Sequence, residues 1–307
     1  MADEILFSGL SGSARLAAVL AKEIELTLAD RASLHKHPAI KFMGNVTGSG
    51  SNVIQTPIVG LDGYDLMSSP SDGAAVSNTA LTETNANITV ARRALQYSIS
   101  DLAALTDSVG LNVQRLAQSM VGSAQMTFQN LLCDVTDSFT STVGTSGVDL
   151  SVDDVYSAMF TLTLASVPGP YICILHPRQI ADFQASLRAE AGPSQFVGAT
   201  QEMLNIKGQA FAGMFNGVDF FVSSKVPTAN AGADRAGGMF GYGAVGYAEG
   251  SPLPVTAAGG IVAPAGTAIV VEFERDASSA LTKIIGNYYV GVAKLQDSMG
   301  VSIITDA

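Results

Sequence analysis

The sequence predicts an α+β fold, and three observations carry that expectation. Val109, Val113, Leu116, Met120, Ala124, Phe128 and Leu131 recur at spacings of four and three, the pattern of one long helix. Residues 44–87 are rich in Gly, Ser, Thr and Asn, hold no Lys or Arg, and are flanked by β-like pieces. The C-terminal third alternates apolar and polar residues, as half-buried strands do.

Taken in order, residues 13–30 read as an amphipathic helix. Leu16, Leu20, Ile24 and Leu28 form one stripe, Arg15, Lys22 and Glu25 face away, and Pro38 ends the region. The polar stretch follows, between "NVIQTPIVG" and "NITVARRALQYSIS", with Asp62-Gly63 as a turn signal. It reads as a long two-stranded excursion, which a compact domain seldom tolerates without a reason. The long helix starts as early as Ser100 and runs to about Val135, roughly 40 Å or more at ~1.5 Å per residue. Its other face carries Asn112, Gln114, Gln118, Gln125 and Gln129, amides that suit a polar protein interface, though an exposed helix also fits. Residues 148–190 read helix, strand, helix: "SVDD" is an N-cap, "PYICILHP" a strand and "RQIADFQASLRAE" a helix. "GVDFFVSS" is a further strand. An antiparallel meander of "TAIVVEFERD", "SALTKIIGNYYVGVAKL" and "VSIIT" closes the chain. In its first member Ile269, Val271 and Phe273 face one way, and Glu272 and Glu274 the other.

Composition narrows the function. The 307 residues fit one large domain or two smaller ones. Hydrophobic residues make up 47% and charged residues 14%, against roughly 25% charged in an ordinary soluble domain. Such a chain is expected to bury more than its own core, in contacts with other subunits. Its net charge is −11, and its 16 basic residues are scattered, Arg92–Arg93 being the one adjacent pair. That argues against tight nucleic-acid binding, which needs clustered cations. "MADEILF" lacks the basic start of a secretory leader. Val155 to Leu175 carries no charge, but Ser157, Thr161, Thr163, Ser166 and Pro168-Gly169-Pro170 make it a buried helix, turn and strand rather than a membrane span.

Candidate chemistry is sparse. Gly241, Gly243 and Gly246 in "GYGAVGYAEG" match the dinucleotide fingerprint G-x-G-x-x-G. The following "YAEGSPLPVTAAGG" cannot form the helix that would bind a pyrophosphate, and Glu272 lies too far on to hold a ribose. A strand or turn where backbones approach closely is the better reading. His35 and His37 lack a third metal ligand and read as a solvated pair. His176 could face Asp182, yet no activated Ser or Cys accompanies them, and no nucleophile elbow or phosphate loop is present. Asp153 and Asp154 offset a helix dipole. Cys133 and Cys173 sit among apolar neighbours as two buried thiols, although their spacing leaves a disulfide open. No catalytic, cofactor-binding or metal-binding residue is assigned, and no enzyme activity is expected. Arg92 and Arg93 occupy opposite faces of a strand. Cross-strand pairing and a salt bridge to a neighbouring subunit fit them equally.

The order of elements carries a resemblance. "ITVARRALQYSISDLAALTDSVGLNVQRLAQSMVGSAQMTFQNLLCDV" runs from a strand into a long helix. An α/β segment holds "YICILHPRQIADFQASLRAE", and "FNGVDFFVSSKVPTANAGADRAGGMFGYGAVGYAEG" supplies strand, loop and glycine-rich strand. Over nearly the whole chain this resembles the major capsid protein of tailed bacteriophages, a fold shared with encapsulins and the herpesvirus capsid floor. The resemblance implies an N-terminal arm at 1–42 and an E-loop hairpin at 43–98 that reaches over a neighbour. It implies a spine helix and peripheral domain at 99–148, an axial α/β domain at 149–265, and C-terminal strands at 266–307 returning to the peripheral domain. Pentamers and hexamers would then form an icosahedral head around double-stranded DNA, which an acidic lining touches only weakly. Arg92, Arg93, Asp62, Tyr64, Gln114, Gln118 and Gln125 are the subunit-interface candidates. Implied partners are further copies of the chain, a scaffolding protein, a portal and an optional decoration protein, with no membrane. The implied location is the virion, after assembly in the host cytoplasm. An encapsulin-like compartment shell or another virion component is the alternative, and the long helix argues against a tail tube.

Two departures stand out. Some relatives carry a domain-sized N-terminal scaffolding segment. Here only a short arm is present, so scaffolding would come from a separate protein or from a piece removed ahead of this sequence. Other relatives cross-link their shells through an E-loop lysine, but here Lys41 is followed by no lysine until Lys207. Mature particles should therefore collapse to single-chain bands when boiled in detergent and reductant. A ladder surviving that treatment would contradict the expectation.

Overall fold

The computed structural model describes residues 37–59, 69, 71–73, 75–76, 83–101, 113–189, 196–208, 210–251, 261–262 and 269–306. The helix expected at 13–30, the Asp62-Gly63 turn and the start of the long helix lie outside these. In chain order the elements are β1 (Ile40–Asn45), β2 (Val53–Val59), β3 (Glu83–Thr89), β4 (Ala91–Ser100), α1 (Val113–Thr136), β5 (Thr142–Val143), α2 (Val152–Leu164), β6 (Tyr171–Leu175), α3 (Pro177–Ala189), β7 (Phe196–Gly198), α4 (Gln201–Lys207), β8 (Phe211–Phe215), β9 (Val218–Val222), β10 (Thr228–Ala229), β11 (Asp234–Phe240), β12 (Val245–Glu249), β13 (Ile261–Val262), β14 (Ile269–Asp276), β15 (Leu281–Lys294) and β16 (Gly300–Asp306).

β15 organises the first sheet, of six strands. Its 14 residues are rich in β-branched and aromatic side chains. Residues 281–288 pair with β14, 281–290 with β4 and 290–294 with β12, all antiparallel. β1 adds a parallel edge on β12, and β13 closes the other side on β14. The expected strand through "NITVARRALQYSIS" is two strands, interrupted at Val90. β3 pairs only with β2, in register from Val53↔Thr89 to Val59↔Glu83. This ribbon is anchored at its root, where Val90 N–H donates to Asn52 O at 2.8 Å and Ile88, Val90 and Ala248 cluster beneath Ile54 and Tyr289.

The second sheet has eight strands in the order β5-β16-β11-β6-β9-β8-β7, with β10 on β11. Successive side chains of a strand point to opposite faces. A Cβ on Gly237 would meet Gln179 of α3 at 3.0 Å, and one on Gly238 would meet Thr136 of α1 at 2.8 Å. So α3 and the end of α1 cover opposite faces. α2 lies on the α3 side, where Tyr156 and Phe183 both edge onto Phe215 at 5.5 and 5.3 Å. Phe183 also stacks on Phe220 at 5.4 Å, which centres this half of the core on phenylalanines. α2 begins as its sequence predicts. Ser151 Oγ accepts from Asp154 N–H, and the Asp154 carboxylate accepts from Ser151 N–H.

The closing meander is corrected. β14 and β15 do form an antiparallel pair, but β16 crosses to the eight-stranded sheet, between β11 and β5. The reason is its patterning. Gly300–Ile303 is buried throughout rather than on alternate residues, so it belongs inside a sheet covered on both faces.

Close backbone packing at Gly291 supports the ribbon root, since a Cβ there would overlap the Thr89 carbonyl, a group that cannot swing away. Gly291→Ala should cost about 2–3 kcal/mol. Urea unfolding of the dissociated protein checks this, and an unchanged midpoint would contradict it.

Candidate functional site

Arg92 and Arg93 leave β4 on opposite sides, and the structure separates their roles. Arg92 Nε donates to Oδ1 of buried Asn287 at 2.7 Å, whose Nδ2 has no partner among the described residues. Arg93 turns toward α1 and lines a cleft of about 270 Å³ with Met126, Thr127, Asn130, Leu131 and Lys225. Among the described residues neither arginine meets a carboxylate. Burial lifts the Asp134 carboxyl above the usual range, and Arg93's charge acts in the opposite direction without an ion pair. Asp62 and Tyr64 lie outside the described residues. Gln114 and Gln118 fall in the first turns of α1. Gln125 is only half-exposed, and its Nε2 is buried without a partner among the described residues. Met126 and Asn130 are the more exposed side chains here, which the amide pattern did not indicate.

A second surface lies on α2. Phe160 and Leu164, one turn apart on its outer side, are 67% and 73% exposed, while Tyr156, a turn earlier, is partly covered where its ring edges onto Phe215. The sequence held a signal for this. "VDDVYSAMFTLTL" carries Phe160 and Leu164 outside its buried stripe of Val155, Ala158 and Leu162, and large apolar residues off the core stripe are candidates for cover by another surface. Two further exposed residues, Val197 on β7 and Ile206 on α4, lie across the sheet. Phe196 packs on Phe183 of α3, so Val197, the next residue, points away from that face. α4 lies on the same far side, because Lys207 reaches Asp219, the neighbour of Phe220. Exposed apolar side chains therefore occur on both faces of the eight-stranded sheet.

His37 is not solvated but buried. Its Nδ1 accepts from Ala39 N–H at 3.2 Å, which puts the proton on Nε2, where it donates to Asp219 Oδ2 at 3.1 Å. The ring edges onto Phe221 at 5.6 Å. Lys207 Nζ donates to both Asp219 oxygens at 2.6 and 2.7 Å. Burial alone would raise the Asp219 carboxyl, but the hydrogen bonds from His37 and Lys207 outweigh it and hold the group below its usual range. A lone acid inside the apolar strand VDFFV was the available clue, because such a group needs partners. His35 lies outside the described residues.

The remaining motifs resolve plainly. Gly241–Ala244 forms the turn that carries the chain from β11 in one sheet to β12 in the other. Gly241 has no room for a Cβ beside Val167, Gly243 sits at φ +90°, and Gly246 lies within a strand, not at the start of a helix. Asp182 pairs with Arg178 at 3.2 Å rather than with His176. Cys133 and Cys173 are free and buried, and burial pushes the Cys133 thiol up to about 11. Among the described residues no group of three His, Cys, Asp or Glu could hold a metal ion, and no helix is long and apolar enough to cross a membrane.

No family model matches the sequence, and no curated protein does. The fold, by contrast, matches many solved structures. The capsid of Ralstonia phage GP4 superposes with a TM-score of 0.60 and 12% identity, over 88% of this chain and 87% of that one. The SrpI encapsulin of Synechococcus elongatus matches at 0.59 with 14% identity, over 87% and 85%. The capsid of cyanophage P-SCSP1u matches at 0.56 with 16% identity, over 90% and 88%. The chain thus has the α+β capsid fold that phage heads and encapsulins share.

The Asp219 cluster yields a pH-dependent expectation. The folded pKa lies below the unfolded value of about 3.9, so the stabilisation is present above that value and is lost as pH falls through the folded pKa. Asp219→Asn should cost roughly 1–3 kcal/mol at neutral pH, and the two proteins should converge in acid. Denaturant titrations at pH 7 and below pH ~4 test this, and a gap that widens in acid would contradict it.

Proposed function

We propose that this chain is the major capsid subunit of a tailed bacteriophage, assembling as pentamers and hexamers into an icosahedral head around double-stranded DNA. The observation carrying this reading is the capsid fold extending over almost nine-tenths of the chain. The surfaces support it physically. Unlike exposed apolar side chains on the two faces of one sheet suit head-to-tail contact, and head-to-tail contacts that close make rings. A two-stranded ribbon without a third strand is marginal alone and gains from lying on a neighbour.

In this reading residues 1–42 form the arm and 43–98 the E-loop. The six-stranded sheet with α1 is the peripheral domain, and the eight-stranded sheet is the axial domain with tips at the symmetry axes. β16 joins the axial part. The protein has no catalytic task. Its net charge of −11 keeps packaged DNA at weak, non-specific contact. Scaffolding protein, portal and decoration protein are the further partners, the host cytoplasm is the place of assembly, and the virion is the destination. The likeness to the SrpI encapsulin favours a second reading, a compartment shell around cargo protein.

Purified protein should sediment as pentamers, hexamers or shells, and electron microscopy should show closed particles. A sharp monomer boundary at all concentrations would overturn the proposal. Particles from infected or expressing cells that hold protein cargo and no DNA would favour the compartment. Replacing Phe160 and Leu164 together with Ser should leave the unfolding midpoint within about 0.5 kcal/mol yet lower particle yield at least about tenfold, a loss of ~1.4 kcal/mol per contact.

A further inference from the structure

The outer edge of β4 is an unfilled row of backbone groups. Asp101 N–H donates to the Ala280 carbonyl at 3.0 Å, one step beyond the Ser100↔Leu281 pair that ends the β4–β15 ladder. Hydrogen-bonded pairs alternate in an antiparallel ladder, so the odd-numbered residues of β4 turn their N–H and C=O groups to β15 and the even-numbered ones turn theirs outward. Val90, just before the strand, obeys the same parity, since its N–H points outward to the Asn52 carbonyl at 2.8 Å. Beyond it Arg92, Ala94, Gln96 and Ser98 are all exposed, and among the described residues no strand pairs with them on that side. Proline and bulges commonly blunt such an edge. β4 holds no proline, and its register against β15 runs unbroken from Ala91 to Ser100.

We propose that this edge pairs antiparallel with β4 of a second copy of the chain, about a two-fold axis at Leu95; the inference deepens the capsid reading and rests on it for the place of the joint. Rings closed by head-to-tail contacts must still be joined to one another. A joint on a two-fold axis is isologous, residue i meeting j and j meeting i. The β4 edge is self-complementary in that sense. With the axis at Leu95, Arg92 faces the second copy's Ser98 and Ala94 its Gln96, each pair exchanging two backbone bonds. All four open residues are used, and Val90 is left to Asn52. On the α1 face Leu95 meets its own counterpart, and Arg93 lies opposite the second copy's Tyr97. Charge selects this register. Moving the axis to Arg93 would set two arginines directly opposite, and moving it to Ala94 would call on Val90, which Asn52 already holds. Helix α1 leaves room. It packs chiefly on β15, one strand in from the edge, where Met120 rests at Gly286. The two copies' helices would stand three strand spacings apart, roughly 14 Å at ~4.8 Å each, against about 8–10 Å for helices in contact. Met126, 46% exposed on the α1 flank beside Arg93, supplies an adaptable apolar side chain at that gap.

Paired cysteines test the register in the full-length chain. Ala94→Cys protein, mixed with an equal amount of Gln96→Cys protein and oxidised in particles or in concentrated solution, should give a disulfide-linked dimer on a non-reducing gel. Opposed Cα atoms of a hydrogen-bonded pair lie about 5.5 Å apart, within disulfide reach. Either variant alone should give at least about fivefold less, because like positions are then diagonal neighbours about 7–8 Å apart. No mixed dimer, or single variants that link as well as the mixture, would overturn the proposal. Ala94→Pro removes an outward N–H without touching the β4–β15 ladder, so it should keep the unfolding midpoint of the dissociated protein and assemble at least about tenfold less. Undiminished assembly would also overturn it. Particles without the mixed link would sink this joint and leave the capsid reading standing. A mixed link in protein that never forms particles would uphold the pairing and count against the capsid reading alone.

Discussion

Helix α1 has to touch two sheets at once, and much of the architecture follows from that requirement. Met120 rests on β15 where Gly286 leaves space, and Thr136 rests on β11 where Gly238 does the same. Sixteen residues separate the two contacts, about 24 Å of rigid rod at 1.5 Å per residue. Any side chain at either glycine would press on the helix from beneath. The spacing of the sheets is therefore set by a helix and two small residues rather than by a linker. The Gly241–Ala244 turn and the stretch between β15 and β16 carry the chain across the same gap.

Most buried polar side chains of the described residues meet a specific partner, Asn287 Nδ2 and Gln125 Nε2 excepted. His37, Asp219 and Lys207 tie the first described residues to β9 and α4, far apart in sequence. Glu249 is the opposite case. Burial raises its carboxyl above the usual range, and only the Tyr288 hydroxyl, at 3.3 Å, works against that. The first cluster welcomes a charge and the second discourages one, so the two halves of the molecule respond differently to acid.

Much of this was legible in the sequence. The period of four and three located α1, and the Ser-x-x-Asp cap located the start of α2. The unpunctuated polar stretch marked the ribbon. Other features were hidden because they depend on what lies across a fold. β16 reads as an ordinary strand, and only its burial on both faces assigns it to the other sheet. Arg92 and Arg93 look equivalent in a row of letters, yet one finds Asn287 and the other a cleft closed by Lys225, over a hundred positions away. His37 read as solvent-facing because nothing near it in sequence needs a histidine, whereas Asp219 does.

β16 has a consequence for how the protein is made. It is an inner strand of the eight-stranded sheet, paired along its whole length with β11, yet it begins only at residue 300. While the chain is being synthesised, β11 has nothing to pair with on that side, and the sheet stays open at its middle. β16 starts 60 residues after β11 ends, so at ~5–20 residues per second roughly 3–12 s pass before the missing strand exists. Until residues 300–306 follow, β11 is paired through β6 and β10 alone. An unpaired strand edge is a template for pairing with another chain, so until β16 arrives β11 is the exposed edge of this sheet.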